Sequence, residues 1–150
     1  MDVDVLCEMS SHQVTDFLSR FEDNFYVSES AVREAVERES CFNLIHLPTS
    51  FKVDVFISRR RPFDRDRMSR ATRESLAVGN SVSVLMTSAE DSIISKLEWY
   101  RLGHESSERQ WEDVSRLIRL LGDAADDGYL RQAAESVGVS DLLQRLMDPN

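Results

Sequence analysis

Cysteine, proline, histidine and glycine are scarce in this chain, with two, three, three and five among 150 residues. Two cysteines cannot build the disulfide framework of a small secreted domain. Cys7 and Cys41 each sit in a strand-like apolar run, where a free thiol behaves as a small hydrophobe. His12, His46 and His104 show no metal-ligand spacing. No glycine-rich loop is present to cradle phosphates, and no Ser/His/Asp arrangement of recognisable spacing appears. There is no run of about 18 apolar residues and no basic-then-apolar leader, so neither a membrane span nor a secretory signal is expected, and a cytoplasmic protein follows. Positive charge is also short. Eighteen basic residues face 27 acidic ones, and the net charge of −9 argues against indiscriminate nucleic-acid binding.

What is present fits a single domain over residues 1–150, because 41% hydrophobic content at this length supplies one compact core. The opening run Met-Asp-Val-Asp-Val-Leu reads as a strand. Ser10 with Gln13 then reads as a capping box, ahead of Val14, Phe17, Leu18 and Phe21 at helical spacing. A short strand at Phe25-Tyr26-Val27 is followed by a serine-rich cap and a helix with Val32, Ala35 and Val36 on one side. Residues 41–47 and 51–57 are strand runs separated only by Pro48-Thr49-Ser50, which predicts an antiparallel hairpin. Gly79-Asn80 predicts a turn into a last strand, Ser-Val-Ser-Val-Leu-Met, closing a sheet-containing core over 1–87.

From Ser88 the pattern is helical throughout. Ser88 with Asp91 predicts a cap for a helix carrying Ile93, Ile94 and Leu97 and stopping near Gly103. Trp111, Val114, Leu117, Ile118 and Leu121 mark a second helix ending at Gly122. Two shorter ones carry Leu130, Ala133 and Val137, then Leu142, Leu143 and Leu146. The expected class is α+β: a mixed β-sheet with flanking helices and a C-terminal helical bundle over 88–150. Trp99, Tyr100 and Trp111 could stack a base, though aromatics on amphipathic helices usually belong to a core.

Charge is unevenly spread. Between Arg59 and Arg73 seven arginines stand against Asp64 and Asp66. That segment reads either as a local site for a polyanion, RNA or nucleotide phosphate, or as a solvated surface paired with acidic neighbours.

The residues with most chemistry are carboxylates. A strand alternates its side chains, so Asp2 and Asp4 share one face while Val3, Val5 and Cys7 take the other. Asp54 sits among Val53, Val55, Phe56 and Ile57, where an uncompensated charge would cost about 2–7 kcal/mol, so it needs a partner. One reading is a half-exposed hairpin with Lys52 and Asp54 both facing water. The other is a site in which Asp2, Asp4 and Asp54 offer hard oxygen ligands to Mg²⁺ or Mn²⁺. Lys96 lies beside the Ile93, Ile94 and Leu97 stripe, where a lysine can also simply snorkel over apolar surface.

The order of elements, the Asp2-Val3-Asp4 strand, the later single Asp54 and the trailing helices resemble the nucleotidyltransferase fold. They are similar to bacterial nucleotidyltransferase-like proteins related to the AbiEii toxin family. Ala89-Glu90-Asp91-Ser92-Ile93-Ile94-Ser95-Lys96-Leu97 and Arg109-Gln110-Trp111-Glu112-Asp113 resemble that family's helical motifs, and the likeness spans residues 1 to about 121. It implies Asp2, Asp4 and Asp54 as metal ligands, Asp54 also as catalytic base, and Lys96 as a catalytic or nucleotide-phosphate contact. Lys96 and Asp113 are the positions that match in the helical motifs, and both are expected to contact the nucleotide. The implied activity is metal-dependent transfer of a nucleotide from an NTP to an unidentified acceptor, RNA or protein among the candidates.

The Gly-Ser turn that precedes the Asp-x-Asp strand in this fold is not among these residues. Little or no transfer is therefore expected of this chain by itself. A homodimer is expected as well, built across the open side of the first strand. The alternative is a non-catalytic binding module, such as a toxin-antitoxin-type partner protein. The absent turn favours that alternative; the retained carboxylates and Lys96 favour the enzyme.

Overall fold

The computed structural model describes residues 2–75 and 82–148, with Asp2 described by its backbone alone. The chain divides into two compact units, Met1–Asp64 and Arg65–Asn150. The fold is α+β, with a mixed four-stranded sheet, a separate two-stranded sheet and flanking helices.

The first unit contains β1 (Asp2–Cys7), α1 (Val14–Phe21), β2 (Phe25–Tyr26), α2 (Glu29–Arg38), β3 (Cys41–His46) and β4 (Phe51–Ile57). Its sheet runs β1-β4-β3-β2. β1 and β4 are parallel, whereas β3 is antiparallel to β4, as the short loop after His46 requires, and also to β2. A 3₁₀ turn, Ser11–Gln13, leads into α1, and at its start the Gln13 side-chain oxygen accepts the Ser10 backbone N–H at 3.0 Å. Ser28 caps α2 by accepting the Ala31 N–H at 3.3 Å. Both helices pack on one face of the sheet: Val14, Val32 and Ala35 meet Phe42, Leu44, Val55 and Ile57 in a continuous core. Phe17 stacks edge-on against Phe42 at 5.6 Å between ring centroids.

α3 (Pro62–Arg70) follows, and it has few apolar residues. Pro62 occupies its first position, where a missing N–H costs nothing. Asp64 in its first turn accepts from the Arg61 backbone N–H at 3.1 Å and pairs with the Arg61 guanidinium at 3.0 Å.

The second unit contains β5 (Thr72–Ser75), β6 (Ser83–Met86), α4 (Ala89–Leu102), α5 (Glu108–Leu121), α6 (Asp127–Val137) and α7 (Ser140–Met147). The last predicted strand does not close the main sheet: β6 pairs antiparallel with β5 in a ribbon of its own. The Gly79-Asn80 turn lies outside the described residues. Ser88 accepts the Asp91 N–H at 3.1 Å and so caps α4, as the sequence predicts. Ser107 and Asp126 do the same for α5 and α6. α6 stops at Gly138, whose φ of +76° places it in the left-handed region that glycine tolerates, and Val139 N–H closes the end on the Ala134 carbonyl at 2.9 Å. α4 packs against α5, α6 and α7, burying Ile93, Ile94, Leu97 and Tyr100. No helix among the described residues is long and apolar enough to cross a membrane.

Candidate functional site

Alternation decides which side chains of the first unit's sheet are left for chemistry. Val53, Val55 and Ile57 point into the helix-covered face, so Lys52 and Asp54 point to the opposite one. In the register of the parallel pair Asp4 is the direct partner of Asp54, and in the antiparallel pair Asn43 is. Asp4, Asp54 and Asn43 thus form one row across three adjacent strands, on one face. Neighbouring strands lie about 4.8 Å apart, so the two aspartates are adjacent across the pair.

Like charges placed opposite one another on a sheet are destabilising, and such a row needs compensation. Asp54 receives it on both oxygens. The Asn43 amide donates to Oδ1, and the Lys52 ammonium lies 2.8 Å from Oδ2. The Asp54 side chain is 16% exposed, whereas that of Lys52 is 44% exposed. On the same face, one row along, Cys41 stands opposite Phe56. Its exposed thiol has a raised pKa, first through partial burial of the sulfur and then through the negative charge of Asp54, with Lys52 acting in the lowering direction.

This arrangement suits a cation. Two carboxylates supply hard oxygen donors of the kind that Mg²⁺ and Mn²⁺ take, and the Lys52 ammonium already stands as a positive charge on one of them. The side chain of Asp2, the third predicted ligand, lies outside the described residues. Among the described residues no group of three or more His, Cys, Asp or Glu is placed to hold a metal ion. The other two predicted residues belong to the second unit: Lys96 is half-buried on α4, and Asp113 is exposed on α5.

Two features carry more than their sequence signal suggests. Asn43 and Lys52, the groups that compensate Asp54, could have been found from the hairpin register, since a two-residue step along β4 and a cross-strand step to β3 both land on the aspartate's face. Asp91 is the other. It is fully buried, accepts from the Ser88 hydroxyl at 2.8 Å and from the Tyr129 hydroxyl, and has the Arg70 guanidinium 3.6 Å away. Much of the arginine segment is engaged in this way. Arg61 pairs with Asp64, Arg67 donates to the Ser95 hydroxyl, Arg70 meets Asp91, and Arg73 donates to the Ser83 hydroxyl.

Comparison of the chain with protein-family models, with curated proteins and with solved structures finds no match.

Proposed function

We propose that the chain is a nucleotidyltransferase-like domain whose Asp4 and Asp54 carboxylates hold Mg²⁺ or Mn²⁺ together with the phosphates of a nucleoside triphosphate. The observation that carries this reading is the register pairing of Asp4 with Asp54 on adjacent parallel strands, on the face away from the core. The ion, when bound, supplies charge neutralisation for the phosphates. Asp54 takes the proton of an acceptor hydroxyl as its oxygen forms a bond to the α-phosphorus and pyrophosphate leaves. The acceptor is a hydroxyl of RNA, of protein or of a small molecule. For Lys96 and Asp113 as nucleotide contacts, the support is the resemblance of the helical motifs around them.

A second reading has an observation of its own. Lys52 and Asn43 engage both oxygens of Asp54, which suits a face stabilised without any ion and a domain that works as a non-catalytic binding module. Binding of a radiolabelled nucleoside triphosphate, with and without Mn²⁺, separates the two. The enzyme-like reading expects binding that requires Mn²⁺ and disappears in Asp54→Asn. Nucleotide held equally well without a divalent ion, or retained by Asp54→Asn, contradicts it and leaves the binding module.

A further inference from the structure

Lys52 has no place in the resemblance, yet it is the residue placed to control the carboxylate pair. We infer that Lys52 is a built-in competitor of the divalent ion: its ammonium occupies Asp54 when no ion is bound and must withdraw for one to bind. The inference rests on the proposed cation site at Asp4 and Asp54.

Three observations carry it. The ammonium is 2.8 Å from Asp54 Oδ2, within direct ion-pair distance, so a divalent ion ligated by that oxygen would meet a like charge at close range. The two partners differ in freedom. Asp54 is mostly covered and is further held through its other oxygen by Asn43, whereas nearly half of the Lys52 side chain is open to water. A lysine carries its charge on a flexible four-carbon stem, so the pair opens by movement of Lys52, with Asp54 left in place.

Finally, Lys52 is two residues from Asp54 on the same strand, and both side chains project from the same face. The ammonium is tethered there by the backbone, and an intramolecular group competes at a high effective concentration. The consequence is a site tuned toward weaker divalent binding than its two carboxylates alone would give. Asn43 has a different part: a neutral amide orients the carboxylate without opposing the ion.

Calorimetric titration of Mn²⁺ into the parent chain and into Lys52→Met, Lys52→Arg and Asp54→Asn tests this at neutral pH. Lys52→Met is expected to bind Mn²⁺ about two- to fivefold more tightly, the equivalent of one half-exposed ion pair. Lys52→Arg keeps the charge and is expected to stay near the parent affinity. A second readout follows, because removing the ammonium takes the positive charge away from Asp54 Oδ2: Mn²⁺ should raise the melting temperature more in Lys52→Met than in the parent. Lys52→Gln serves the same purpose should the methionine variant fail to fold. If Asp54→Asn abolishes binding while neither Lys52→Met nor Lys52→Gln binds more tightly than the parent, the competitor role is wrong and the cation site stands. If neither the parent nor the lysine variants bind Mn²⁺, the cation site itself is wrong and the competitor role falls with it.

Discussion

The Tyr129 hydroxyl donates a hydrogen bond to the carboxylate of Asp91, joining α6 to the first turn of α4 across 38 positions of sequence. Asp91 is wholly buried there, and the Arg70 guanidinium lies 3.5 Å from the centre of the Tyr129 ring. Removing one partner leaves a buried acceptor short of a donor, which costs about 1–3 kcal/mol. Tyr129→Phe is therefore expected to lower the unfolding free energy by that amount, read as a lower urea midpoint, and Asp91→Ala to lower it further, since it also removes the Ser88 and Arg70 contacts. Equal midpoints for Tyr129→Phe and the parent would show the bond to be without net effect.

The same pair makes a prediction in alkali. Burial first, and then the hydrogen bond to Asp91, push the Tyr129 phenol well above its ordinary value. A folded pKa above the unfolded one means stability that is complete below the ordinary tyrosine range, near 10, and lost as pH rises beyond it. Ultraviolet titration should show a phenol that ionises late, together with loss of structure, and that late step should be missing in Tyr129→Phe. A parent chain with no late step, or a late step that persists in Tyr129→Phe, would contradict this environment.

Leu97 is fully buried on α4, which packs against three other helices of its unit. Leu97→Ala is expected to cost about 2–5 kcal/mol in chemical denaturation. A loss below about 1 kcal/mol would mean that the site collapses around the smaller side chain, against the packing described.

Cys41 reports on the charges of the carboxylate face. Its thiolate is disfavoured by partial burial and by Asp54, and favoured by Lys52, so the two substitutions act in opposite directions. In a Cys7→Ala background, alkylation by iodoacetamide at mildly alkaline pH should quicken in Asp54→Asn and slow in Lys52→Met. Rates unchanged in both variants would remove Cys41 from the influence of that pair.

How much of this could be read from the chain follows from where the signals are stored. The helix starts were legible because they are local: Ser28 and Ser88 each cap a helix with their own side chain. The β3-β4 hairpin was legible from a three-residue loop plus alternation. β5 was not, since Thr-Arg-Glu-Ser has no apolar alternation and is a strand only because β6 pairs with it. α3 has the same difficulty, with Phe63 and Met68 its only large apolar residues. At the candidate site, alternation put Lys52 and Asp54 on one face in advance. The partnering of Asp4 with Asp54 depends on a parallel pairing between strands some fifty residues apart, which no local pattern encodes. Asp91 was legible as a capping partner, but its burial depends on Tyr129, which lies 38 residues along the chain.

The most direct test of the carboxylate site is a double-mutant cycle on Mn²⁺ affinity using Asp4→Asn, Asp54→Asn and the two together. If Asp4 and Asp54 ligate one ion, each single change should weaken binding by about tenfold or more, and the double variant should lose much less than the sum of the two free-energy changes. Strictly additive losses, or an unchanged affinity in either single variant, would show that the two carboxylates do not form one site.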